Sequence, residues 1–261
     1  MARSKAVDVE TVEGPATQAL ATQTQVKQTE LAVYEGADAT DARGKTNISR
    51  EDIRLPRLAI CQQMSPQRDE SKPQFIEGLK EKELFNTLTE QVYGKGPLEF
   101  IVLRLDKRAN ITDKDGNIIE RSIPWDDPRN EFTQDPENPG QRIPPEGTRF
   151  YDFIIMLVET REIIVLSMKK TQVPVAKSLV TFMSLRPGAT WAGKYKVSTV
   201  TDSRNNKNFG NYKVLPGGPV DKDLYEYAEK VYDLLAASNI SVDDTDTGEQ
   251  AAERVDDNVP F

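Results

Sequence analysis

Hydrophobic positions are unevenly spread along the 261 residues. The pattern sharpens at residue 97. There "PLEFIVLRLDKRANIT" mixes alternating and continuous apolar positions, which predicts a strand. "RFYDFIIMLVE" and "EIIVLSMKK" predict two more strands, joined by a tight turn near Thr160-Arg161. A helical period follows. Pro174 suits a first turn, Val175, Leu179, Phe182 and Met183 share one face, and Arg186-Pro187-Gly188 stops the run. "WAGKYKVSTVTD" and "FGNYKVLP" flank the loop "SRNNKN" and predict a hairpin. Asp221 caps a last helix, whose stripe is Leu224, Tyr227, Ala228, Val231, Leu234 and Leu235.

Polar segments separate and flank these elements. "DKDGN" at 113–117 supplies an Asp-Gly turn. Its glycine is misplaced for a calcium loop, and the twelfth position falls on Pro124 instead of a glutamate. Residues 124–148 are proline-rich and polar, which predicts a long surface loop; loops of this length are usually functional or mobile. Residues 1–48 carry no sustained period and predict a disordered arm. Order is expected to begin near "SREDIRLPRLAICQQMSP", while "LKEKELFNTLTEQVYGKG" offers short elements without a clear assignment. The chain therefore divides into an arm at 1–48, a core at 49–237 and a disordered acidic tail at 238–261. The order strand, strand, strand, helix, strand, strand is that of an OB-fold, a small barrel used widely to bind single strands. The expected class is mainly β or α+β: an OB-fold-like five-stranded barrel with a helix between strands three and four, an N-terminal extension and disordered termini. The plainer alternative is another α+β domain with an antiparallel sheet.

Composition narrows the chemistry. Histidine is absent and cysteine occurs once, at Cys61. That removes Ser-His-Asp and Cys-His sites, histidine or thiolate zinc sites, and internal disulfides. No cofactor is expected and an enzyme is disfavoured, although carboxylate–magnesium chemistry stays open. No apolar run suggests a signal peptide or a membrane span, and a cytoplasmic location is the simplest expectation.

Net charge is −8, but it is concentrated. Residues 241–261 hold seven acids and one arginine, whereas residues 155–215 hold ten Lys/Arg and three Asp/Glu. An acidic chain thus contains a basic segment, and aromatic rings are interleaved with it. Trp191, Tyr195, Phe209 and Tyr212 sit among Lys194, Lys196, Arg204, Lys207 and Lys213, with Lys169 and Lys170 at the end of the third predicted strand. Single-stranded nucleic acid needs both types: cations follow the phosphates and flat rings stack on bases. The competing reading makes each ring core and each lysine a solvated strand charge, which is the safer reading for Arg161.

The chain closes on "DDNVPF". An acidic run is usually a solubility device, but that does not explain Pro260-Phe261. Acids, an aliphatic residue, proline and a terminal ring make a good short ligand for a partner with a basic rim and an apolar pocket. The segment resembles the acidic tip of bacterial single-stranded DNA-binding proteins. This resemblance implies that Asp256, Asp257, Val259, Pro260 and Phe261 dock replication, repair or recombination proteins. The N-terminal extension and the short linker depart from the bacterial pattern, so its tetramer is not carried over. "IRLPRLAICQQMSP", "FIEG" and "FNTLTEQVYG" resemble proteins of tailed bacteriophages. The sequence therefore points to a phage-encoded single-stranded DNA-binding protein that coats the strand and recruits enzymes, with no membrane partner. Two alternatives stay open: a replication or recombination mediator that binds DNA weakly, and a magnesium-dependent nuclease using acids such as Asp126 and Asp127.

Overall fold

The computed structural model describes residues 55–113, 118–204 and 207–238. The arm at 1–48, the acidic tail beyond 238 with its tip Asp256, Asp257, Val259, Pro260 and Phe261, and most of the Asp-Gly turn lie outside the described residues. The first elements are three short strands, β1 (Leu58–Ile60), β2 (Leu84–Asn86) and β3 (Val92–Gly94), in a small antiparallel sheet of that order. The main sheet is built on β4 (Leu98–Thr112). Phe100 and Val102 on one face of β4, and Ile101 and Leu103 on the other, are all at most 1% exposed. A strand buried on both faces reads as a continuous apolar run, which is the pattern its sequence carries.

β5 (Ile118–Ile123) pairs with the far half of β4, completing the hairpin that the Asp-Gly turn predicts. A two-residue ladder, β6 (Thr133–Gln134) with β7 (Arg142–Ile143), lies within the proline-rich loop. β8 (Gly147–Leu157) then runs antiparallel along β4, from Ile111↔Gly147 to Phe100↔Leu157. β9 (Ile163–Lys169) pairs with β8. Helix α1 (Val173–Ser184) carries Pro174 in its first turn and buries Ala176 and Leu179. β10 (Gly193–Arg204) pairs with the near half of β4 and with β11 (Lys207–Pro219). Helix α2 (Lys222–Ser238) ends the described chain. Asp221 caps it: its Oδ1 accepts the Leu224 amide at 2.8 Å, a bond that lowers the carboxyl pKa.

The fold is mainly β with two helices, and the main sheet runs β11-β10-β4-β8-β9. The expected closed five-stranded barrel is not formed. Among the described residues no ladder joins its edges, β9 and β11. The physical reason is that another segment occupies the seam. The Val165 amide donates to Pro56 O at 2.8 Å and the Tyr212 hydroxyl to Leu58 O at 2.7 Å. Gln62 meets Gly210 twice, each time at 2.9 Å: its Nε2 donates to the carbonyl and its Oε1 accepts from the amide. Residues 55–62 thus bridge β9 to β11 from inside the gap, and α1 packs against both strands.

Alternation sends side chains to two cores. Phe100, Phe153, Ile155, Tyr195 and Tyr212 fill the concave side with α1. Ile101, Leu103, Ile154, Met156 and Trp191 face α2, which contributes Leu224, Ala228, Val231 and Leu235. Each fully buried aliphatic side chain stabilises by about 1.5–3 kcal/mol relative to its exposed state. Leu234 departs from the predicted stripe and is 45% exposed. It lies about 90° around the helix from the centre of the buried stripe made by Leu224, Ala228, Val231 and Leu235. Cys61 is buried in a satellite core, where desolvation pushes its thiol pKa up to about 11. Among the described residues, no helix is long and apolar enough to cross a membrane.

Candidate nucleic-acid interface

β9 ends at Lys169 and passes into a 3-10 turn, Lys170–Gln172, that opens with Lys170 at φ 48°. The Lys169 amide donates to the Gln172 side chain at 3.2 Å, which holds the turn. This turn packs on β11: the Asn211 amide group reaches Thr171 O at 3.5 Å and Asp202 Oδ2 at 3.1 Å. The end of the third predicted strand is therefore brought to the predicted hairpin. On that hairpin Arg204 pairs in register with Lys207, and Ser198 with Lys213. Arg204, Lys207, Lys213 and Lys170 are exposed, while Lys169, Lys194 and Lys196 are half-buried. Lys196 is held by Glu99 at 2.9 Å, and the bond lowers the Glu99 pKa.

The rings are placed differently from the sequence expectation. Tyr195 is 1% exposed and lies 5.7 Å from Phe100, ring centre to ring centre. Tyr212 is 4% exposed, with its hydroxyl spent on Leu58. Both occupy inward positions of their strands, so neither presents a face to a strand of nucleic acid. Trp191 is 9% exposed and packs 4.9 Å from Tyr232 beneath α2. These three rings are core. Phe209, half-buried and paired in register with Asp202, is the one ring of the four outside the buried core.

A different aromatic group stands beside the same end of β9, across its pairing with β8. The proline-rich loop is ordered by a 3-10 turn, Pro128–Asn130, and folds Trp125 back onto β8. Arg149 donates from Nε and Nη2 to the Trp125 carbonyl at 3.3 and 3.1 Å. The Trp125 ring meets Tyr151 edge to face, with centres 5.0 Å apart and planes at 84°. The Lys107 ammonium lies 5.4 Å from the Trp125 centre and 5.6 Å from that of Tyr151; the Arg149 guanidinium lies 5.3 Å from the Trp125 centre. Sequence reasoning missed this cluster. The available signal was a lone tryptophan in an otherwise polar loop.

Residues 24–241 match the family described as Pam3 phage gp34-like protein. The chain belongs to this phage family. No curated protein and no solved structure matches it. In this gp34-like chain Asp127 is committed to Arg129, at 2.7 Å, and that contact lowers its pKa to about 2. Glu120 shares the same guanidinium at 2.7 Å. Asp126 precedes Asp127 in the loop that follows β5 and is exposed.

Proposed function

We propose that this protein binds single-stranded DNA along the surface where the end of β9 meets the β10–β11 hairpin, and that its acidic segment recruits partner enzymes. The observation that carries the reading is the gathering of Lys169, Lys170, Arg204, Lys207 and Lys213 onto adjoining elements of a chain whose net charge is −8. An acidic protein repels a polyanion unless its cations are focused, so their placement outweighs the total. The sheet path supports the reading as well. β11-β10-β4-β8-β9, with a helix between β9 and β10, is the path of an OB-type Greek-key barrel opened at one seam. Membership in a phage protein family is in keeping with it.

The test is a titration of labelled oligothymidylate, its duplex and the matching RNA across a salt series. Affinity for the DNA single strand should fall with salt at roughly −0.7 per phosphate engaged, so about four contacts give a slope near −3. A flat slope, or equal affinity for duplex, rejects the reading. The recruitment half has its own test. Phe261→Ala keeps every acid of the segment and removes the ring. It should leave DNA affinity within about twofold, because it changes no charge, and abolish capture of replication or recombination enzymes by the immobilised protein. Full retention of capture would reduce the segment to a charge.

A further inference from the structure

We propose that Trp125, flanked by Lys107 and Arg149, is a nucleobase-stacking site at one end of this interface. The proposal rests on the single-strand reading above and supplies what that reading lacks. Three of the four rings in the basic segment are core, so cations without a stacking platform would hold phosphates alone. Trp125 is half-buried. Two cations stand within 5.4 Å of its centre. A nucleotide in a single strand presents the matching pair, a flat base beside a phosphate. A base held in a duplex has both faces covered.

The charges are available. Among the described residues no carboxylate pairs with Lys107. Arg149 does pair with Glu131, but Glu131 is 63% exposed, and an ion pair that open is readily exchanged for a phosphate. The backbone beneath the ring is fixed beforehand. Asn130 Nδ2 donates to Pro124 O at 2.9 Å, and Arg149 grips the Trp125 carbonyl. A platform already in place loses little entropy on binding. Its position is also continuous with the cations. Trp125 packs on Tyr151, Tyr151 pairs in register with Met168, and Lys169 and Lys170 follow directly.

The chain has two tryptophans, which makes the site directly readable. In full-length Trp191→Phe, Trp125 is the sole indole emitter. In Trp125→Phe, Trp191 is. Each is titrated with fluorescein-labelled oligothymidylate, following label anisotropy and indole emission together. As anisotropy rises, Trp191→Phe emission should be quenched and Trp125→Phe emission should stay unchanged. Trp125→Ala should weaken binding by roughly 5- to 150-fold while keeping the salt slope, because phosphate contacts remain. Trp125→Phe should stay within a few-fold of the parent. If Trp125→Ala fails to fold, the emission experiments decide alone. A rise in anisotropy with no quenching of Trp125, or quenching with no loss of affinity in folded Trp125→Ala, overturns the stacking site and leaves the single-strand reading standing. No anisotropy change in any variant, the parent included, overturns both.

Discussion

Asp152→Ala is expected to cost about 3–5 kcal/mol of folding stability. Asp152 is fully buried in β8, and its Oδ2 accepts the Arg108 Nε at 2.5 Å. Its other oxygen takes the Ser167 hydroxyl of β9. One carboxylate thus ties three neighbouring strands together, with Arg108 5% exposed and stacked 4.2 Å from the Phe150 centre. Removing it takes away the carboxylate that the buried Arg108 guanidinium pairs with. Since domains of this kind are stable by only about 5–15 kcal/mol, the variant should lose a fifth or more of that. A urea titration reads the loss as a lower midpoint at similar slope. Arg108→Met with Asp152→Leu should recover much of it, because no charge is then stranded. A loss below about 1 kcal/mol in the single variant would mean that water reaches the pair.

The second large effect concerns binding. Reversing three charges of the hairpin, Arg204→Glu with Lys207→Glu and Lys213→Glu, should weaken single-strand affinity on the order of a hundredfold at low salt. Each reversal removes an attraction and adds a repulsion, about 1 kcal/mol net per site after screening. The three residues are exposed, so stability should shift by only about 0.5 kcal/mol each. A control reverses two cations, Lys222 and Lys230 on α2, which lies over the opposite face of the sheet. If the control loses as much per reversed charge as the hairpin variant, net charge governs the association and no particular surface does.

The long elements were legible because each carries its own period. β4, β8, β9, the β10–β11 hairpin and both helices lie where alternation and helical spacing put them. β1, β2 and β3 span three residues each, too few for a period to declare itself. The seam was illegible for a related reason. It is filled by bonds such as Gln62 to Gly210, 148 residues apart, and no local pattern encodes such a partner. The rings failed on a different point. Alternation separates two faces of a strand without saying which one a distant helix will cover. Tyr195 and Tyr212 took the concave side, and Trp191 was claimed by α2. The cations needed no such knowledge, since a lysine on a strand reaches solvent from either face.

Gln62 has a consequence beyond its place in the seam. Gly210 directs its N–H and C=O away from β10, toward the open side of an edge strand. An unguarded row of such groups is a template on which another polypeptide can anneal. The Gln62 amide presents one donor and one acceptor at backbone spacing and occupies that position as a single rung of a strand would. Gly210 permits the approach, because a Cβ there would stand 2.8 Å from Ile60 Cγ2. At Gly210 the edge of β11 is thereby already paired, and a second polypeptide would have to displace Gln62 before it could anneal there.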